Sequence, residues 1–237
     1  MKRIFAATAV AVWILAAWTA AMASSAGPGL TPDDALTKLR EGNTRFVAGA
    51  SVHPRQDAAR RSETGQNGQH PFATVLTCSD SRVPPEVLFD QGIGDLFVVR
   101  VAGNVASTDE IGSIEYGADH LGTPLVVVLA HTKCGAVTAV AKNEHVTPNI
   151  AKLVAPIVPA VQGVKTRFSS NDMDEIISKS IEANMWQAIA DMFAKSPVIK
   201  KLAAEGKIKV IGALYDVDSG AVWWSGEHPS QKMLLAK

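Results

Sequence analysis

Cysteine occurs only twice in this chain of 237 residues, each time just past an apolar run. Cys78-Ser79-Asp80-Ser81-Arg82 follows Phe72-Ala73-Thr74-Val75-Leu76-Thr77, and His131-Thr132-Lys133-Cys134-Gly135 follows Leu125-Val126-Val127-Val128-Leu129-Ala130. Two thiolates and an imidazole are ligands of the kind Zn²⁺ prefers. Three protein ligands leave a fourth position for water or a displaceable carboxylate, as in a catalytic site. The same cysteines admit a second reading. In an exported protein a cysteine pair is first read as a disulfide, and the separation of Cys78 and Cys134 permits one. His131 and the polar cluster around Cys78 favour the metal, because a structural disulfide needs neither.

Export itself is an expectation from the N-terminus. Met1-Lys2-Arg3 is a short basic segment, Ile4 to Ala21 is apolar, and Ala21-Met22-Ala23 is a small-x-small pattern before Ser24-Ser25. This predicts a secretory signal peptide over residues 1–23, cleaved after Ala23. An uncleaved anchor is the alternative, since about 17–25 apolar residues span a bilayer. The cleavage pattern and the Gly27-Pro28-Gly29 break argue for removal, no membrane association afterwards, and a periplasmic or secreted protein. Loss of Lys2 and Arg3 tips an even balance of 23 basic and 23 acidic residues slightly acidic. That balance gives no sign of nucleic-acid binding. Residues 24–237 have the size of one well-cored domain.

The elements that would carry the motifs follow from pattern. Thr31, Pro32 and the acids Asp33 and Asp34 open a helix that runs past Leu36, Leu39 and Phe46 to Gly49. Residues 50–70, rich in Gly, Asn, Gln and Arg, read as an irregular arm that must pack on something, a partner subunit being one candidate. Strands are expected over 72–77, 95–101, 125–130 and 207–215, with 221–224 as a hairpin partner across Asp218-Ser219-Gly220. Helices are expected over 86–89, 109–121, 134–142, 172–194 and from Pro197, with a proline-interrupted stretch near 148–159. Strands alternating with helices predict an α/β fold: a mostly parallel central sheet flanked by helices, with an N-terminal helical arm and a C-terminal antiparallel edge strand. In such sheets functional residues gather at the carboxyl ends of strands, where Cys78 and His131 fall.

The ordered pair Cys-Ser-Asp-Ser-Arg and His-x-x-Cys-Gly resembles the β-class carbonic anhydrases. The likeness extends through Gln69-His70-Pro71, Gly94-Asp95-Leu96-Phe97-Val98-Val99-Arg100, Gly103-Asn104, Ser113-Ile114-Glu115-Tyr116, Gly206-Lys207 and Tyr215-Asp216. The resemblance implies Zn²⁺ on Cys78, His131 and Cys134, and reversible hydration of CO₂ to bicarbonate and a proton by zinc-bound hydroxide. It gives Asp80 and Arg82 the task of orienting the attacking oxygen. It places Gln69, Phe97, Tyr116 and Gly135 on the substrate side. His120, four residues after Tyr116, becomes a candidate proton shuttle. It further implies a homodimer or dimer-based oligomer in which residues 31–60 embrace the partner. Val75 stands where closed members of the family carry a tryptophan, so an open site is expected, with Asp80 on Arg82 and off the metal. Two alternatives remain: the same metal site acting on carbon disulfide or carbonyl sulfide, and a non-catalytic domain with a disulfide or closed zinc.

Overall fold

The structure, a computed structural model, describes residues 29–168, 170 and 172–236. The expected signal peptide, residues 1–23, lies outside the described residues. Helix α1, Pro32–Val47, begins as its sequence dictates. The Thr31 hydroxyl accepts from the Asp34 N–H, the Asp34 carboxylate reaches back to the Thr31 N–H, and Pro32 occupies the first turn. Its inner face is Ala35, Leu36, Leu39, Gly42 and Asn43, all buried against this same chain.

Five strands follow: β1 (Ala73–Thr77), β2 (Leu96–Arg100), β3 (Leu125–His131), β4 (Lys209–Tyr215) and β5 (Val222–Gly226). Their order is β2-β1-β3-β4-β5; the first four are parallel, and β5 runs antiparallel on β4. Every residue of β1 and β3 is buried, which is why neither strand alternates in sequence. Successive side chains of β3 still point to opposite faces. Val126, Val128 and Ala130 join one core, and Leu125, Val127 and Leu129 join the other.

The first core is closed mainly by α8, Met173–Lys195, through Ile177, Ile181, Met185, Ile189 and Met192. The second is closed by α1 and the short α3, Pro85–Leu88. Between them in sequence lie α2 (Ala58–Asn67), α4 (Thr108–Glu115), α5 (Gly135–Ala141), α6 (Pro148–Val154) and α7 (Val158–Arg167). Helices α9 (Pro197–Ala204) and α10 (Gln231–Ala236) complete the chain. Among the described residues no helix is long and apolar enough to cross a membrane.

Several local expectations are corrected. Residues 50–70 are not wholly irregular, because Asp57 caps the N-terminus of α2 and Gly68, at φ +81°, ends it. The segment before α2 packs on its own chain. Asp90, 1% exposed, accepts from the backbone of Val52 and His53 and from Arg45 Nε. Asp95 accepts from Arg55 and from the Gly92 N–H. The prolines near 148–159 start helices instead of interrupting them, since Pro148 and Pro159 sit in first turns where no N–H is required. The helix expected over 109–121 keeps α-geometry only to Glu115, and Tyr116–His120 form a π-turn.

Asn43 ties these layers together. Its amide donates to the Leu88 carbonyl at 3.1 Å and the Gly220 carbonyl at 2.9 Å, and its oxygen accepts from the Val222 N–H at 2.9 Å. Gly42 beside it must lack a side chain, because a Cβ would stand 1.7 Å from the Phe89 carbonyl oxygen. Replacing Asn43 with leucine strands three buried backbone groups, so stability measured by urea unfolding should drop by about 2–4 kcal/mol. A loss below about 0.5 kcal/mol, the range of inconsequential surface changes, would mean that these bonds do not hold α1 to the sheet.

Candidate metal centre

Parallel pairing places the two motifs side by side. Thr77, the last residue of β1, lies opposite Leu129 of β3, and its hydroxyl donates to the Leu129 carbonyl at 2.8 Å. Neighbouring strands are about 4.8 Å apart, so Cys78, one residue past Thr77, and His131, two residues past Leu129, emerge at the same end of the sheet. Lys133 then turns the chain through φ +57°, and Cys134 precedes the first residue of α5. The sulfurs of Cys78 and Cys134 and a ring nitrogen of His131 all lie within 4.8 Å of one another. They are 5%, 1% and 0% exposed. Both cysteines are free, so the structure contains no Cys78–Cys134 disulfide.

The imidazole is oriented for ligation. His131 Nδ1 lies 2.8 Å from the Thr132 carbonyl. A carbonyl only accepts, so Nδ1 carries the proton and Nε2 presents its lone pair. That Nε2 is buried without a hydrogen-bond partner. Such a group costs about 1–3 kcal/mol unless something binds it, and a cation among the two sulfurs would do so. Thr132 is itself fixed: its hydroxyl donates to Asp216 Oδ1 at 3.2 Å and accepts from the Val217 N–H at 3.1 Å.

The sulfurs behave as a pair. Cys134 donates to Cys78 and, with help from the Gly103 N–H, holds the Cys78 thiol below its ordinary value against the effect of burial. The Cys134 thiol is pushed up, first by donating to Cys78 and then by its own burial. A cation would take the place of that shared proton, because metal ligation requires thiolates.

Asp80 stands at the rim. Arg82 Nε reaches Asp80 Oδ1 at 2.9 Å and Arg82 Nη2 reaches Oδ2 at 2.7 Å, a two-pronged bond, and the Arg82 N–H adds a third contact at 2.9 Å. The Arg82 side-chain bonds hold the Asp80 carboxyl at about 2. Arg82 also donates to the Lys133 carbonyl at 3.2 Å, tying the two motif loops together. Arg100 anchors the backbone below, donating to the carbonyls of Cys78 at 3.1 Å and Asp80 at 2.6 Å. Asp80 Oδ2 is 3.9 Å from His131 Nε2, so the carboxylate faces the candidate ligands while paired with Arg82. Lys133 is engaged elsewhere, 2.6 Å from Asp218.

The other expected residues are placed less tightly. Phe97 of β2, Tyr116 and His120 form an aromatic row, with ring centroids 5.8 Å apart for the first pair and 4.7 Å for the second. Tyr116 is 45% exposed. Gln69 is exposed in the loop between α2 and β1, and among the described residues it has no hydrogen bond to the cysteine cluster. Gly135 opens α5 next to Cys134, and a Cβ there would meet nothing within 4 Å. Residue-by-residue reading missed two supports: Thr132 with Asp216, and Asn184 of α8, which donates to the Gly103 carbonyl at 2.7 Å. The available signal for the latter was a lone asparagine among Ile177, Ile181, Met185 and Ala188 on one helix face.

The profile described as carbonic anhydrase matches residues 73–222. Carbonic anhydrase 2 of Mycobacterium tuberculosis (strain CDC 1551 / Oshkosh) is 38% identical over 197 residues, which cover 81% of this chain and 92% of that protein. The carbonic anhydrase of Mycolicibacterium smegmatis is 38% identical over 200 residues, covering 82% and 94%. Among solved structures, the β-carbonic anhydrase CafA of Aspergillus fumigatus superimposes with a TM-score of 0.68 at 27% identity, over 86% of this chain and 96% of that one.

Metal analysis after reducing purification should find about one divalent ion per chain, as a site of this ligand type holds. Cys78→Ser, His131→Ala and Cys134→Ser should each lose most of it. Full metal content in any one of these three variants would remove that side chain from the ligand set.

Proposed function

The chain belongs to the β-carbonic anhydrase family, and from that membership we propose that it is an exported zinc enzyme interconverting CO₂ and bicarbonate. Carbonic anhydrases are lyases, and the identity to the two mycobacterial enzymes spans most of this chain. One observation carries the reading to this particular site. The buried Cys₂His group, with an unpartnered Nε2, has an ionised carboxylate held against its open side by a two-pronged arginine. A structural metal site has no use for that carboxylate.

Zn²⁺ held by Cys78, His131 and Cys134 would supply the Lewis acidity that makes water a nucleophile near neutral pH. The protein's own groups do the rest. Asp80, kept ionised by Arg82, accepts a hydrogen bond from the attacking water and so turns an oxygen lone pair toward the carbon of CO₂. Arg82 fixes Asp80 in the orientation for that task and keeps it from swinging inward, which is the open form of the site. The resemblance gives Phe97 and Tyr116 the part of an apolar wall for a nonpolar substrate, although in this chain Phe97 lies opposite Thr74, four residues before Cys78. The resemblance gives Gln69 the part of an amide donor to a substrate oxygen, although in this chain Gln69 precedes β1 and so stands at the end of that strand away from Cys78; Gly135 leaves room beside Cys134. Attack forms the new C–O bond of bicarbonate and leaves one proton, which the half-buried His120 can pass to buffer. We further propose cleavage after Ala23, a periplasmic or secreted location, and a homodimer or dimer-based oligomer. N-terminal sequencing of the mature protein tests the cleavage, cell fractionation the location, and light scattering the oligomer.

The primary assay is CO₂ hydration by the mature protein with and without a chelator. Chelator-sensitive turnover supports the reading; turnover of carbonyl sulfide but not of CO₂ would overturn it. Asp80→Asn and Arg82→Ala should each lower hydration about 10–100-fold while retaining the metal. Near-normal rates in either variant would exclude the pair from the mechanism.

The pH behaviour of Asp80 has a definite sign. Its folded pKa, about 2, lies below the usual carboxylate value of roughly 3.9. The contribution of the pair is therefore complete above about pH 4 and is lost as pH falls through about 2. Carbon-detected titration of the Asp80 carboxyl should give a midpoint near 2, and activity between pH 5 and 9 should carry no inflection from this group. A midpoint at or above 4 would contradict the bonded geometry.

A further inference from the structure

Asn184 lies on the inner face of α8, 2% exposed among apolar side chains. Its Nδ2 donates to the Gly103 carbonyl at 2.7 Å. Gly103 belongs to the 3₁₀ turn Ala102–Asn104 that leaves β2, and it takes φ +76° and ψ 14°. Its own N–H points the other way and donates to Cys78 Sγ at 3.3 Å. A single glycine is thus held from both sides, its carbonyl by α8 and its amide on a sulfur of the cysteine cluster.

The surroundings allow little slack. A Cβ on Gly103 would stand 2.6 Å from Ile157 Cδ1 and 3.2 Å from Ala136 Cβ. The turn is pressed between α5 and the segment that joins α6 to α7. Glycine is the residue least able to hold its own backbone angles, so the direction of this N–H depends on what grips the residue. Among side chains, that grip is Asn184. Without it the Gly103 carbonyl, buried with its residue, would lose its partner and the turn would gain freedom to rotate the N–H off the sulfur.

An N–H bonded to a thiolate draws off part of its negative charge. Two thiolates donate heavily and weaken a bound cation as a Lewis acid, so this hydrogen bond offsets part of the effect of Cys78. We propose that Asn184 is a positioning residue for the metal centre: by holding the Gly103 carbonyl it keeps the Gly103 N–H on Cys78 Sγ, and so limits the charge that this sulfur donates. The proposal rests on ligation of the metal by Cys78, as proposed above, and adds a residue on a distant helix to that site.

The test uses the mature protein loaded with Co²⁺, whose thiolate charge-transfer bands report the electron density on sulfur. Asn184→Leu removes the donor at nearly constant volume. It should move these bands to longer wavelength and lower kcat about 10-fold with little change in KM. Asn184→Gln, which keeps an amide, should recover band position and rate at least partly. Ser180→Ala is the control: Ser180 lies one turn earlier on α8, is fully buried, and its hydroxyl has no hydrogen-bond partner. It should leave bands and kcat unchanged. Should Asn184→Leu not fold, wild-type protein loaded with ¹¹³Cd still decides. The Gly103 amide proton should show coupling to cadmium through the N–H···S bond, and absence of that coupling overturns the proposal. Wild type that binds neither cobalt nor cadmium overturns the metal assignment itself. Wild type that binds both, with Asn184→Leu unchanged in bands and kcat, overturns only the role of Asn184.

Discussion

The parallel pairing of β1 with β3 is the constraint on which the site depends. Cys78 and His131 are far apart in sequence, and only the register that sets Thr77 opposite Leu129 brings them out of the sheet together. The Thr77 hydroxyl on the Leu129 carbonyl pins that register one step below the cluster. A slip by one residue would turn the whole of β1 over, sending its core side chains to the wrong layer. Burial on both faces of both strands therefore protects the position of the cysteine–histidine cluster. The hydrophobic effect fixes the geometry of a polar site without touching it.

Charge at the cluster is managed by fixed dipoles and arginines. A buried sulfur pair would be costly without compensation. Cys78 receives the Gly103 N–H on its sulfur and Arg100 on its carbonyl. Asp80 receives Arg82 on both oxygens and Arg100 on its carbonyl. Positive charge is thus placed around Asp80 and under Cys78, while the face of His131 is left to its Nε2 lone pair. This arrangement keeps a carboxylate ionised next to a cluster that is itself electron-rich, and Arg82 is what makes the two compatible.

The rest of the molecule holds this end of the sheet rigid. Helix α8 seals one face and reaches the cysteine cluster through Asn184 and Gly103. Helix α1 seals the other, with Asn43 linking it to α3 and β5. The segment before α2 is drawn onto the body by Asp90 and Asp95, two carboxylates that are almost fully buried. That segment has little apolar surface, so charge-assisted hydrogen bonds replace a core as the means of ordering it.

The sequence alone determined the chemistry and the sheet. Two cysteines, a histidine and an Asp-x-Arg at the ends of apolar runs named the candidate ligand set and the carboxylate–arginine pair, because metal chemistry tolerates few side-chain types. Uninterrupted valine and leucine runs named buried parallel strands, because only such strands lack alternation. The capping residues Thr31 and Asp34 named the start of α1. The remainder needed tertiary structure. Helix α2 buries none of its residues, so it left no apolar period to read, and Pro148 and Pro159 are the same residue type whether they break a helix or open one. The aromatic row of Phe97, Tyr116 and His120 depends on a π-turn that no periodicity announces. Gly103 and Asn184 are 81 residues apart, and their link exists only because α8 lies across the end of β2. Local signals specify which groups are present; which lone pair each N–H meets is set by packing at a distance, and sequence order does not encode that distance.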